Sequence, residues 1–152
     1  MGYKLPGESE SYANPIVIDN SVMMRWLFDD GSIADQQYAK AVLAALKDRQ
    51  LTVLVPPIWV YESAFVTNHY VKQKSINRAD SRQQLDMLFE LVNVIYTQQT
   101  PVELLEVSQA VNISSYDAAY LLLAQQQECP LATLDKKMKK AHKKSAGVVF
   151  IP

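Results

Sequence analysis

The stretch Ile16-Val17-Ile18-Asp19-Asn20-Ser21 constrains this chain more than any other. Apolar residues run into an acid and then a hydroxyl. A short apolar run of this kind, bounded by turn formers, predicts a buried strand. Asp19 then stands at the strand's carboxyl end. Open parallel α/β sheets bind ligands at that edge. Leu131-Ala132-Thr133-Leu134-Asp135 has the same form, an apolar run ending in an acid. Two strands that bring two carboxylates to one edge set a pattern the remaining elements must accommodate.

Between these runs the periodicity switches repeatedly from strand to helix. Ser21 is expected to cap a first helix carrying Val22, Met23, Trp26 and Leu27, which Asp29-Asp30-Gly31-Ser32 ends. A longer helix follows with Ala39, Val42, Leu43 and Leu46 on one face. Leu51 to Val55 reads as a second strand, closed by Pro56-Pro57, which opens a helix containing Trp59, Tyr61, Glu62 and Phe65. Polar residues from Asn68 to Asn77 predict its exit and a loop. Arg78 to Leu91 is amphipathic, with Leu85, Leu88, Phe89 and Val92 in period, and Val92 to Tyr96 is a third strand. Thr100-Pro101-Val102-Glu103 carries the signature of a capping box. Ser114 and Ser115 open a helix, Tyr116 to Gln127, that is apolar on nearly every side except at Asp117 and is therefore expected to be buried. Leu131 to Leu134 is the fourth strand, Lys136 to Ser145 a lysine-rich helix ended by Gly147, and Val148 to Ile151 a fifth strand. Strands alternating with helices predict an α/β fold, a three-layer α/β/α sandwich around a parallel sheet of about five strands.

The 152 residues suit one domain, read as residues 16–152 behind a loose N-terminal extension of residues 1–15. A net charge of −1 means that any nucleic-acid binding must come from a local patch. The single cysteine, Cys129, excludes an internal disulfide and a cysteine-type zinc site. The N-terminal segment lacks the apolar centre of a signal peptide, and no run approaches a membrane span. A soluble cytoplasmic protein is expected.

Four acids stand out: Asp19, Glu62, Asp117 and Asp135. Asp135 has a structural reading as the cap of the lysine helix, and Asp117 as the partner of Ser114 in a capping pair. Glu62 has no helix end or basic neighbour to explain it, and an acid at a central strand end has no routine structural duty. In a parallel sheet the strand ends and the helix N-termini that follow them share one edge, so all four can converge. Converging carboxylates repel unless a cation neutralises them. Oxygen-only ligation suits Mg²⁺ or Mn²⁺, and such ions support water attack on a phosphodiester.

The motifs around these acids resemble those of PIN domains, most closely the VapC-type toxins of toxin–antitoxin modules. They are Ile18-Asp19-Asn20-Ser21, then Tyr61-Glu62 in the helix after the second strand, Ser115-Tyr116-Asp117-Ala118-Ala119-Tyr120-Leu121, and Leu131 through Met138. The likeness runs from about Ile16 to Ile151. It implies a metal-dependent endoribonuclease that leaves a 5′-phosphate and a 3′-hydroxyl. By that likeness Asp19, Glu62, Asp117 and Asp135 hold one or two Mg²⁺ or Mn²⁺ ions, and Ser21 and Thr133 support the site through hydrogen bonds to them. It also implies a homodimer, an RNA substrate and a small antitoxin that enters the active-site groove.

Two other readings compete with this one. A non-catalytic or degenerate module of the same fold, binding RNA or protein, would keep the shape but hold metal poorly; the complete acid set argues against it. A phosphohydrolase of the haloacid dehalogenase type needs a second Asp two residues after the first, where this chain has Ser21. Lys136, Lys139, Lys140 and Lys143 are candidate RNA contacts on a helix that also carries Lys137 and Lys144. Their alternative is a solvated face with Met138 and Ala141 turned inward. His142 is assigned to that basic face, His69 to the surface, and Cys129 to a turn. Trp26, Trp59, Tyr61, Tyr116 and Tyr120 are read as core or dimer contacts rather than base-stacking platforms, with a groove role open to Tyr61 and Tyr116, which adjoin candidate ligands.

Overall fold

In the computed structural model, residues 11–73, 76–96 and 99–152 are described. The elements run β1 (Pro15–Ile18), α1 (Asn20–Leu27), α2 (Ile33–Asp48), β2 (Thr52–Val55), α3 (Ile58–Lys72), α4 (Arg78–Leu91), β3 (Val92–Val94), α5 (Pro101–Val111), α6 (Ser115–Gln126), β4 (Leu131–Ala132) and α7 (Lys136–Lys144). The sheet is parallel throughout, in the order β3-β2-β1-β4. Ile16 pairs with Val53 on one side of β1, and Ile18 pairs with Ala132 on the other. The chain winds from β1 through β2 to β3, then crosses back to lay β4 on the far side of β1. The winding therefore reverses between β1 and β4, and that reversal opens the crevice in which doubly wound sheets place their ligands.

β1, β2 and β4 are buried on both faces, while the edge strand β3 exposes Asn93. Ile16, Val17, Ile18, Val53, Leu54, Val55, Leu131 and Ala132 all belong to the core, which is why they read as continuous apolar runs rather than alternating ones. The expected fifth strand is reduced to a single bridge, Leu131 with Val149. Two backbone bonds hold it, Leu131 N–H to Val148 O at 3.0 Å and Phe150 N–H to Leu131 O at 2.9 Å. β4 has only two residues, so it offers a fifth strand little to pair with.

Several local expectations shift. Asp19, not Ser21, caps α1: its carboxylate accepts from Ser21 N, and the helix begins at Asn20. Helix α3 continues to Lys72 rather than leaving at Asn68. The cause is tertiary. Tyr70, in its last turn, stacks on Phe28 with ring centroids 3.9 Å apart, and its hydroxyl donates to Asp30 and accepts from Arg25. Leu43 and Phe89 lie outside the buried stripes of α2 and α4, at 43% and 57% exposure. The capping box of α5 forms as its sequence predicts, between Thr100 and Glu103.

His142 is not on the basic face. It is 1% exposed, beside Met138 and Ala141 on the inward stripe of α7, with Nε2 3.1 Å from Val148 O. Burial pushes its pKa below the usual histidine value. His69 is exposed, as expected. Cys129 lies in the connection from α6 to β4 but is buried and free, and burial pushes its thiol up to about 11.

Of the expected N-terminal extension, residues 1–10 lie outside the described residues. Tyr12 packs against the core, and Thr52 donates to Ala13 O through its hydroxyl and to Asn14 O through its backbone. No described helix is long and apolar enough to cross a membrane.

Candidate active site

Asp19 follows β1, and Thr133 and Asp135 follow β4. These are the two strands that flank the reversal of the sheet, so their carboxyl ends put the three side chains into one crevice. Asp19 is 7% exposed. One carboxylate oxygen, Oδ1, accepts the Ser21 backbone N–H at 3.0 Å and the Ser21 hydroxyl. The other, Oδ2, accepts the Thr133 hydroxyl. Each hydroxyl is itself fixed by a backbone donor, Leu134 N–H to Ser21 Oγ at 2.9 Å and Asp135 N–H to Thr133 Oγ1 at 3.0 Å. The loop after β4 thereby orients both hydroxyl protons onto Asp19. A carboxylate offers about four lone-pair sites; these three bonds leave room for about one further ligand.

The electrostatics are unbalanced. Burial pushes Asp19 up to about 6, against the opposing hydrogen bonds of Ser21 and Thr133, and the Asp117 carboxylate adds to the rise. Asp117 is raised by burial and by Asp135. Glu62 is raised by burial and by Asp117. The four acids therefore share one field, with Asp117 felt by both Asp19 and Glu62. Among the described residues the only ion pair is Arg25 with Asp30, so no basic side chain is paired with any of the four. What does favour the charged forms is backbone. Asp19 and Asp135 are N-caps of α1 and α7, and Asp117 is in the first turn of α6. Three helix N-termini thus present their partial positive ends at this edge.

Asp135 caps α7, accepting from Met138 N at 3.0 Å, and Ser114 caps α6 through the backbone N–H of Asp117 at 3.1 Å, without the full capping box seen at α2 and α5. These roles do not exclude a second duty, since a cap uses one lone pair. Glu62 is fixed by a residue the sequence reading treated as a core or dimer contact. Tyr120 is buried, yet its hydroxyl donates to Glu62 Oε1 at 2.7 Å. The available signal was spacing, because Tyr120 falls one turn after Asp117 and so shares its face of α6. Trp59 is buried, Trp26 packs against the core, and Tyr61 and Tyr116 are exposed beside Glu62 and Asp117 in sequence.

The donor set suits a hard divalent cation in charge and in element: all oxygen, all acidic, uncompensated. Its spacing is open. Among the described residues no three acidic, histidine or cysteine side chains are gathered closely enough to hold a metal ion. Coordination by three of these carboxylates requires side-chain rotation.

A family model described as the PIN domain matches residues 16–144. The chain belongs to the PIN domain family. PIN domains are generally nucleases, and the matched segment contains all four acids and both hydroxyls. Solved structures share the PIN fold at low identity. PAE2754 from Pyrobaculum aerophilum is 17% identical over 84% of this chain and 85% of that one, with a TM-score of 0.62. VapBC2 from Rickettsia felis, solved bound to a DNA fragment from its promoter, is 13% identical over 90% and 97%, with a TM-score of 0.63. FitAcB from Neisseria gonorrhoeae is 14% identical over 90% and 97%, with a TM-score of 0.52. A comparison with curated protein sequences finds no match.

Thr133→Val tests the scaffold of this PIN site. Valine keeps the shape but removes the donor to Asp19 and the acceptor for Asp135 N–H, in a side chain that is 0% exposed. A loss of about 1–3 kcal/mol in unfolding free energy is expected from the unmet buried groups. Chemical denaturation measures it, and an unchanged midpoint would mean that water replaces the hydroxyl.

Proposed function

We propose that this PIN domain is a metal-dependent endoribonuclease, the VapC-type toxin of a toxin–antitoxin pair, acting in the cytoplasm. The observation that carries the reading is Asp19: a buried carboxylate, positioned by two hydroxyls and repelled by Asp117, which in turn feels Asp135, with no basic partner among the described residues. That arrangement costs stability, and a cation would reverse the cost. Asp19, Glu62, Asp117 and Asp135 would hold one or two Mg²⁺ or Mn²⁺ ions. When bound, the ions supply Lewis acidity toward the phosphate and lower the pKa of water. Ser21 and Thr133 keep Asp19 ionised and aimed, and Tyr120 does the same for Glu62. In the reaction a water oxygen bonds to phosphorus and the bond to the 3′-oxygen breaks, giving a 5′-phosphate and a 3′-hydroxyl.

The VapC-type motifs support a small antitoxin as partner and a homodimer as the assembly, and the fold is shared with VapBC2. Tyr61 and Phe65, one turn apart on α3 and largely exposed, suit a face that another chain covers. A second reading, a non-catalytic module of the same fold, draws on the open spacing of the acids.

Cleavage separates the two. With Mg²⁺ or Mn²⁺, the protein is expected to cut single-stranded or loop RNA, and EDTA is expected to stop it. A folded protein that cuts no RNA with either metal would favour the binding module.

A further inference from the structure

Helix α7 concentrates the chain's positive charge. Six of the fifteen Lys and Arg residues lie in its nine positions, with no acid among them, leaving nine basic against sixteen acidic side chains elsewhere. Net repulsion of a polyanion is the rule over the rest of the surface, so a polyanion must be met here. Among the described residues none of the six is paired with a carboxylate.

The six lysines do not share one face. Lys139 is half-buried, with its ammonium 5.3 Å from the centre of the Tyr38 ring on α2. Lys137, Lys140 and Lys144 instead line a groove of about 300 Å³ between α7 and the C-terminal end of α5. Its other walls are Ala110, Val111, Asn112 and Ala141, which are small and carry no charge. What the groove offers is a row of cations above a small, neutral floor, which suits a sugar–phosphate backbone.

Its direction matters. Asp135 caps α7, so the helix starts at the acid edge. At 1.5 Å per residue, Lys137, Lys140 and Lys144 stand about 3, 8 and 14 Å along the axis from Asp135. A strand lying on them leads to the four acids.

We infer that the α5–α7 groove, through Lys137, Lys140 and Lys144, is a phosphodiester channel that holds single-stranded RNA and feeds it to the acid edge. The inference rests on the nuclease reading for its substrate. Of the set Lys136, Lys139, Lys140 and Lys143 it keeps Lys140, and it moves the rest of the contact to the adjoining flank of the helix, at Lys137 and Lys144.

Binding can be read without cleavage. A fluorescent 2′-O-methyl RNA oligonucleotide, which has no free 2′-hydroxyl, is titrated in EDTA at several salt concentrations. The wild type is compared with Lys137→Gln/Lys140→Gln/Lys144→Gln and with the control Lys136→Gln/Lys139→Gln/Lys143→Gln. Loss of three phosphate contacts is expected to weaken binding at least about tenfold at low salt and to flatten the log K against log salt slope by about 2, at roughly 0.7 per contact on a single strand. The control triple is expected to change both by less than half as much. Arginine at the three groove positions is expected to restore binding.

Equal losses from the two triples would overturn the channel, as would a wild type that binds no oligonucleotide. So would a poly-glutamate peptide that outcompetes the oligonucleotide for the groove, which would assign it to an acidic protein. Groove-dependent binding by a protein that cuts no RNA with Mg²⁺ or Mn²⁺ would uphold the channel and sink the nuclease reading alone.

Discussion

Asp19→Asn is expected to lower RNA cleavage by more than about 100-fold, since even the loss of a group that only orients a metal ligand costs about 10–100-fold. The fold is expected to survive. The amide oxygen can still accept from Ser21, and the amide nitrogen can donate to Thr133 Oγ1, which rotates to suit. Stability in EDTA is expected to move the other way from activity. Burial holds the Asp19 pKa near 6, against 3.8 for the unperturbed group. The folded protein therefore binds a proton that the unfolded chain has lost, so Asp19 makes the metal-free fold less stable as pH rises from about 4 to about 6. Above that window the penalty is complete. Two pKa units correspond to about 3 kcal/mol. Asn carries no such penalty, so the variant is expected to exceed the wild type by up to about 3 kcal/mol at pH 8 in EDTA and to flatten its pH dependence. Urea denaturation at pH 5 and pH 8 measures both. Saturating Mg²⁺ or Mn²⁺ is expected to stabilise the wild type by mass action and the variant far less. A variant that cuts RNA as well as the wild type would remove Asp19 from the site.

Gly147→Ala is expected to destabilise the fold strongly for so small a change. Gly147 follows α7, and its N–H donates to His142 O at 2.8 Å. A Cβ there would overlap Cε1 and both ring nitrogens of His142. The ring is buried, and its Nε2 is 3.1 Å from Val148 O, so withdrawing it gives up that contact. Relieving the overlap must break that bond or shift the segment that pairs with β4. A cost of about 3 kcal/mol is expected, at the upper end of overpacking penalties. The double variant Gly147→Ala/His142→Ala separates overlap from backbone effects. Removing the ring is expected to make the second substitution nearly free, a coupling of about 2 kcal/mol or more between the sites. If Gly147→Ala were neutral on its own, the contact between Gly147 and His142 would be wrong.

Much of the site was legible because its chemistry is local. Asp19 and Asp135 each end an apolar run, and a carboxylate at the start of a helix is a short-range signal. The capping box at Thr100 and the cap at Ser114 were legible for the same reason. Glu62 stood out by contrast, as the one charge in an apolar helix. The environment of these acids was not legible. That Tyr120 holds Glu62 requires α3 and α6 to be placed side by side. The number of carboxylate lone pairs already used on Asp19 depends on where the loop after β4 folds back. His142 was misplaced because its type suggested a basic face, although its position, four residues after Met138, fits the inward stripe of α7.

By itself the sequence determined the alternation of strand and helix, the burial of the β1 and β2 runs, and the placing of acids at strand ends and helix starts. These follow from periodicity and from the direction of parallel strands, which are properties of short segments. Only the tertiary structure decided which strands flank the crevice, since the crossing of the chain to the far side of β1 is not written in any single run. It also decided that the last segment contributes one bridge in place of a strand, and that α3 extends to Lys72 on the stacking of Tyr70 over Phe28. The same holds for the lysines of α7. Their number is a fact of sequence, but which of them face α2 and which face α5 is fixed by the neighbours against which the helix packs.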